Sequence, residues 1–214
     1  MQQVDGRKAR GDESRRIVLA RAINIASVQG LAGLSIGRLA SDVSASKSGV
    51  AALFGSKEQL QLATIAAARD VFTSAVIEPA RTHPRGIHRV CALVQLWLDY
   101  SSGRVFEGGC FFMAASVELD SKPGPVRDAL IHALDDWDGY LAAAVRHAME
   151  QGELPGLTDA AQLAFEINAL FDEANTRSLL RDSRTPYDRA RAAIMARLLA
   201  LGADPAVLAQ HDRA

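Results

Sequence analysis

The 214-residue chain is 49% hydrophobic but only 6% aromatic, and much of its apolar content is alanine, the strongest helix former. That composition supports a sizeable helical core, and without period-2 runs of Val, Ile and Thr it gives strands no support. The net charge of −1 hides an asymmetry: residues 1–60 carry nine Lys/Arg against five Asp/Glu, and the remainder fifteen against twenty, so only one end is suited to a polyanion.

In chain order, periodicity and punctuation predict about nine helices. The first runs from about Ser14 to Gln29, with Leu19, Ala22, Ile23 and Ala26 on one face and Gly30 ending it. Two short ones follow, Ser35 to Val43 and Ser46 to Leu53, the first capped by Ser35. A long helix starts at the capping box Ser56-x-x-Gln59 and reaches Glu78 before Pro79. The segment Arg85 to Ser101 carries the core stripe Val90, Leu93, Val94, Trp97 and Leu98. "GGCFFMAASVELD" reads as a short buried helix, and Val126 to Gln151 as a long one closed by Gly152. Thr158 caps the next, to about Leu180, and a last helix opens at Thr185-Pro186 and ends at Gly202. The fold class is all-α: three short helices, then six around a larger core.

The finely divided stretch "SASKSGVAALFGSKEQL", residues 44–60, carries the functional signal. Two short helices joined by a turn near Ser44-Ala45 form a helix-turn-helix pattern. In that motif the N-terminal residues of the second helix meet base edges in the major groove. Ser46, Lys47 and Ser48 occupy that position, where free N–H groups and the helix dipole also favour phosphate oxygens. Val50 and Phe54, one turn apart, anchor the helix inward. Lys57, in the first turn of the next helix, has no dipole reason to be there, and a phosphate contact explains it.

From "VLARAINIASVQG" through "LSIGRLASDVSASKSGVAALFGSKEQL" the chain resembles, without gaps, the tetracycline-repressor (TetR) family of transcriptional regulators. The match ends in that family's F-x-S-K-E-x-L signature, here Phe54 to Leu60. The resemblance implies a helix-turn-helix domain over 1–55, with a basic N-terminal arm, and a helical ligand-binding and dimerisation domain over 56–214. It implies that Ser35 and Lys57 touch phosphate, that Lys47 and Ser48 face the major groove, and that Arg7, Lys8 and Arg10 of the arm reach backbone or minor groove. Three departures stand out: Ala51 replaces an aromatic, Leu53 a histidine and Ala26 a phenylalanine. The first two remove backbone contacts, which position a protein on DNA without reading sequence, so weaker affinity is expected before lost specificity.

For the body, candidate ligand-pocket residues are Trp97, Tyr100, Phe111, Phe112, Met113, Trp137, Phe165 and Phe171, although residues of these types on a buried stripe are more often plain core than ligand wall. Asn168, Asp172 and Asn175 line one face of an otherwise apolar helix and need partners: a ligand, a second subunit or solvent. Leu163, Ile167 and Leu170 on one late helix, with Ala190, Ile194, Leu198 and Leu201 on the next, resemble the family's dimer four-helix bundle; intramolecular packing is the alternative.

Enzyme-like signals fail on inspection. The run "DDWD" at 135–138 reads as a solvated face, His83, His88 and Cys91 lack a fourth metal ligand, and "EGGC" lacks the lysine and strand of a phosphate loop. No enzyme, metal or cofactor is expected. Two cysteines, Cys91 and Cys110, exclude a disulfide scaffold and suit a reducing cytosol, leaving a thiol redox sensor as a minor reading. The polar start "MQQVDGRKARGDESRR" is no signal peptide, and the longest uncharged run is broken by Asn24, Gln29 and three glycines, so a cytoplasmic protein without a membrane span is expected. The expected partners are operator DNA, a small-molecule effector (neutral or cationic, from the acidic body) and a second copy of the chain. The expected function is a homodimeric repressor released from its operator by that effector; the alternative is a family-fold binder of small molecules or proteins with weakened operator recognition.

Overall fold

A computed structural model describes residues 6–211, with side chains from residue 9 onward. Among the described residues there are ten helices and no strands: α1 (Gly6–Gln29), α2 (Ile36–Asp42), α3 (Lys47–Phe54), α4 (Lys57–Arg81), α5 (Ile87–Ser102), α6 (Phe111–Leu119), α7 (Pro125–Glu150), α8 (Ala160–Arg181), α9 (Thr185–Ala200) and α10 (Pro205–His211). A 3-10 turn, Leu31–Gly33, links α1 to α2. The tenth helix, beyond the expected nine, starts with Pro205 behind Asp204, whose carboxylate accepts from Ala206 N at 2.8 Å. An Asp-Pro start is the sequence signal that marks it.

Two predicted boundaries move for physical reasons. α1 begins at Gly6, eight residues before Ser14, so Arg10 sits on a helix and not on an extended arm. The polar stretch has no apolar stripe, yet nothing in it stops a helix, and Arg16 pairs with Glu13 at 2.6 Å one turn away. α4 passes through Pro79 where the sequence predicts a stop. Proline lacks an N–H and its ring crowds the carbonyl four residues back; the helix meets this by widening into a π segment, Thr73–Ile77, directly before it. α4 is also long and apolar enough to span a membrane by length and composition, but its Leu60, Ile65, Ala68, Phe72, Val76 and Ile77 are buried in the fold.

The described residues pack as two compact units, one of residues 6–70 with 106–131, the other of 71–105 with 132–211. In the first, α1, α2 and α3 pack on one another, and α6 packs along α1. Its core holds Val18, Ala22, Ile23, Leu31, Leu34, Leu39, Val50, Phe54 and Phe111. Burial of each large aliphatic or aromatic side chain contributes about 2 kcal/mol. In the second unit, α8 and α9 form a hairpin through Asp182, at φ 45°, and pack on α5, where Trp97 stacks on Phe171 at 4.1 Å.

Candidate nucleic-acid interface and effector region

The helix-turn-helix is built by caps and clamps. Ser35 Oγ accepts from Arg38 N at 3.2 Å and opens α2; Ser46 Oγ accepts from Gly49 N at 3.0 Å and opens α3. Gly55, at φ 74°, ends α3, and Ser56 Oγ accepts from Gln59 N at 3.1 Å to start α4. Residues 44–49 are all exposed, whereas Val50 and Phe54 are buried. The start of α3 is therefore presented to solvent on an anchored helix.

α1 holds this arrangement. Arg15 donates to Leu53 O at 2.6 Å and lies 4.6 Å over the Phe54 ring, placing a cation at the carbonyl end of α3, where the helix dipole favours it. Arg21 pairs with Asp42 of α2 at 2.8 Å. Neither arginine is singled out by the sequence pattern, since each partner lies more than twenty residues away.

The predicted contact residues fare differently. Lys47 and Ser48 are exposed beside Ser46, the two hydroxyls 3.4 Å apart. Lys57 has an intramolecular partner: its Nζ donates to Ala32 O at 2.6 Å, at the 3-10 turn. That bond supplies the reason for a cation in the first turn of α4 which the sequence lacks. Arg10 is exposed on α1; the side chains of Arg7 and Lys8 lie outside the described residues.

The 106–119 segment belongs to this unit although the sequence assigns it to the body. Glu118 of α6 accepts from Leu31 N at 2.5 Å and Ala32 N at 2.9 Å, capping the 3-10 turn. Ser27 Oγ accepts from Gly108 N at 3.0 Å, and a Cβ at Gly108 would sit 2.0 Å from Ser27 O, so only glycine fits there. Asn24 Oδ1 accepts from Glu107 N at 3.2 Å. Phe111, Phe112 and Met113, expected in a pocket with Trp97, Tyr100, Trp137, Phe165 and Phe171, thus lie in a different compact unit from those five.

In the second unit Trp97, Tyr100 and Phe171 are buried, Trp137 is half-buried, and Phe165 is 69% exposed, off the core stripe. Phe72 meets Tyr100 and Trp137 edge-on, at 5.3 Å and 5.1 Å. The polar face of α8 finds partners within the chain. Asn168 accepts from Trp137 Nε1 at 2.9 Å and donates to Asp138 at 2.8 Å. Asn175 ends a buried relay: Arg104 donates to Tyr187 Oη (3.2 Å), Tyr187 to Ser101 Oγ (2.8 Å), and Ser101 to Asn175 Oδ1 (2.9 Å). Asp172 is the exception: burial first, and the charge of Asp138 second, push its carboxyl up to about 6.

Most of the stripe read for the dimer packs within the chain. Leu163, Ile167, Ala190, Ile194, Leu198 and Leu201 are 5% exposed or less within the chain itself, and Leu170 is half-buried. They form the seam of the α8–α9 hairpin and its seat, because the helices must satisfy each other before any partner. The large apolar side chains left exposed on these helices are Phe165, Leu179, Leu180 and Leu199. Sequence periodicity selects the most apolar stripe, which is the stripe a single chain buries first.

Neither thiol is placed as a redox sensor. Cys91 and Cys110 are buried, and burial, followed by the charge of Glu153, pushes Cys91 up to about 12, far from the thiolate a sensor needs. His88 Nδ1 and His211 Nε2 are 3.1 Å apart, but the described residues contain no group of three or more His, Cys, Asp or Glu that could hold a metal ion. A cleft of about 390 Å³ opens between α5 and α7, lined by Arg85, Gly86, Arg89, Tyr140, Ala143, Ala144, Arg146, His147 and Glu150. None of the predicted ligand residues lines it.

Residues 86–194 match the family described as the tetracyclin repressor-like C-terminal domain. No curated protein matches the chain. Among solved structures it is similar to a TetR transcriptional regulator from Chloroflexus aurantiacus J-10-FL, with 25% identity over 87% of this chain and 94% of that one, at a TM-score of 0.80. It shares its fold with AibR, solved in complex with isovaleryl coenzyme A and operator DNA (18% identity, 76% and 85% coverage, TM-score 0.64). It also shares it with a putative transcriptional regulator from Saccharomonospora viridis in complex with choline (22% identity, 86% and 94% coverage, TM-score 0.71). With half the chain matched by the C-terminal family and the whole fold shared with its regulators, the chain belongs to the tetracycline-repressor-like (TetR) family of transcriptional regulators, which are not enzymes.

Proposed function

We propose that the protein is a homodimeric DNA-binding repressor, acting in the cytoplasm, that a small-molecule effector releases from its operator. The observation that carries the DNA half is the presentation of α3: residues 44–49 all exposed at its capped N-terminus, with Val50 and Phe54 buried behind them. Ser46, Lys47 and Ser48 then read the major groove, and Ser35 and Arg10 contact backbone. The domain division at 55/56 belongs to this proposal, with the 106–131 segment serving the DNA-binding side.

Dimerisation is assigned to the face of α8 and α9 that carries Phe165, Leu179, Leu180 and Leu199. A two-fold dimer suits half-sites about 34 Å apart. The effector half is supported by relatives of the same fold solved with isovaleryl coenzyme A and with choline. An effector acts by binding one state of the dimer more tightly than the other.

The test is fluorescence anisotropy with DNA from upstream of the protein's own gene, random DNA as competitor and a salt series. Preference of about a thousandfold over random DNA is the expected result. Weak, strongly salt-dependent binding to both DNAs would overturn it. That outcome would favour the second reading, a binder with weakened operator recognition, which the Lys57 bond to Ala32 O and the small Ala51 motivate.

A further inference from the structure

The α5–α7 cleft has a chemistry that the acidic body as a whole does not. Three arginines line it, Arg85 from the turn before α5, Arg89 from its first turn and Arg146 from α7, against a single carboxylate, Glu150. The start of α5 is itself no anion site, because Ile87 N already donates to Glu153 at 2.8 Å. The basic character comes from side chains.

Those side chains are only partly engaged. Arg85 donates to His147 Nε2 at 3.3 Å, which leaves the imidazole proton on Nδ1, facing Glu150 Oε2 at 3.3 Å. The one carboxylate of the lining is thereby turned to His147. Arg89 anchors through Nη2 on the carbonyls of Arg81 (3.1 Å) and His83 (2.7 Å), while its Nε is buried with no hydrogen-bond partner. Tyr140 Oη is also buried without a partner, and its ring is held under the Arg81 guanidinium at 5.7 Å. Two unsatisfied buried groups on residues lining one cleft are uncommon in a folded protein, where nearly all such groups are paired. Both can donate, and both belong to residues that line the cleft.

We infer that this cleft is a binding site for a small organic anion, its phosphate or carboxylate group held by Arg85, Arg89, Arg146 and Tyr140 and its apolar part on Ala143 and Ala144. The volume of about 390 Å³ is that of a small-ligand site. Planar guanidinium groups are suited to bidentate recognition of either oxyanion. The inference deepens the effector half of the regulator reading and reverses the sequence expectation of a neutral or cationic effector.

The experiment is isothermal titration calorimetry of the full-length protein, without DNA, using pyrophosphate and citrate as separate probes. Saturable binding of either is expected; pyrophosphate alone would assign a phosphate ligand, citrate alone a carboxylate one. Arg146→Gln is expected to weaken binding about tenfold, the size of one lost charge-assisted hydrogen bond. Tyr140→Phe is expected to weaken it about threefold while leaving the ligand-free melting temperature unchanged or raised, because the lost hydroxyl has no partner to abandon. Arg181→Ala, on α8 and outside the cleft, is expected to bind like wild type. Absence of saturable binding of both anions at millimolar concentration, or equal binding by an Arg85→Gln/Arg146→Gln protein, would overturn the inference. Because no DNA is present, either result stands apart from the operator test.

Discussion

At the scale of single residues, Asp172 shows how a surface position can carry an energetic penalty. Partial burial first, and the charge of Asp138 second, disfavour its ionised form and push the carboxyl up to about 6. A group whose folded-state pKa is raised costs nothing below the unfolded value and costs progressively more as pH climbs through the folded one. Asp172→Asn should therefore raise the melting temperature above pH 6, with the gain shrinking to nothing below about pH 4. Thermal denaturation of both proteins from pH 4 to 8 checks the sign. Asn168 and Asn175, its companions on the same helix, raise no such penalty, because Trp137, Asp138 and Ser101 satisfy them.

At the scale of elements, the informative contact is between α1 and the segment leading into α6. Ser27, Gly108, Glu118 and the amides of the 3-10 turn form a seam in which backbone meets backbone. Gly108→Ala places a methyl within 2.0 Å of Ser27 O, and since backbone atoms cannot swing aside as a side chain does, the seam must open. A loss of about 2–3 kcal/mol in urea unfolding is expected, with faster amide exchange at Leu31 and Ala32 where the Glu118 cap lets go. Helix existence was legible from caps, glycines and periodicity, as at Ser35, Ser46, Gly55 and Ser56. Boundaries were not, where a rule had a local escape: the π segment absorbed Pro79, and a polar stretch without a breaker let α1 start at Gly6.

At the scale of the whole molecule, the assembly hypothesis rests on which apolar residues remain after the chain has folded on itself. Phe165 and Leu180 are 69% and 80% exposed on α8. A Phe165→Glu/Leu180→Glu protein should keep its helix content by circular dichroism and sediment as a monomer where wild type sediments as a dimer. The buried Leu163 and Ile167 would give the opposite result on substitution, loss of the fold itself, at about 2–5 kcal/mol for truncation to alanine. The two outcomes separate an interface residue from a core residue.

The sequence by itself determined the all-α class, the order of nine of the ten helices and the short-helix, turn, short-helix pattern of α2 and α3, because each depends on neighbours within a few residues: a cap, a glycine, a repeat of 3 or 4. Tertiary structure alone decided what depends on distant partners. It gave Lys57 to Ala32 O, joined Glu118 to the 3-10 turn, turned the α8–α9 stripe inward and gathered three arginines at one cleft. The physical reason is common to all four. A charge or an apolar face is satisfied by whatever lies closest once the chain has collapsed, and that distance is set by packing and not by spacing along the sequence.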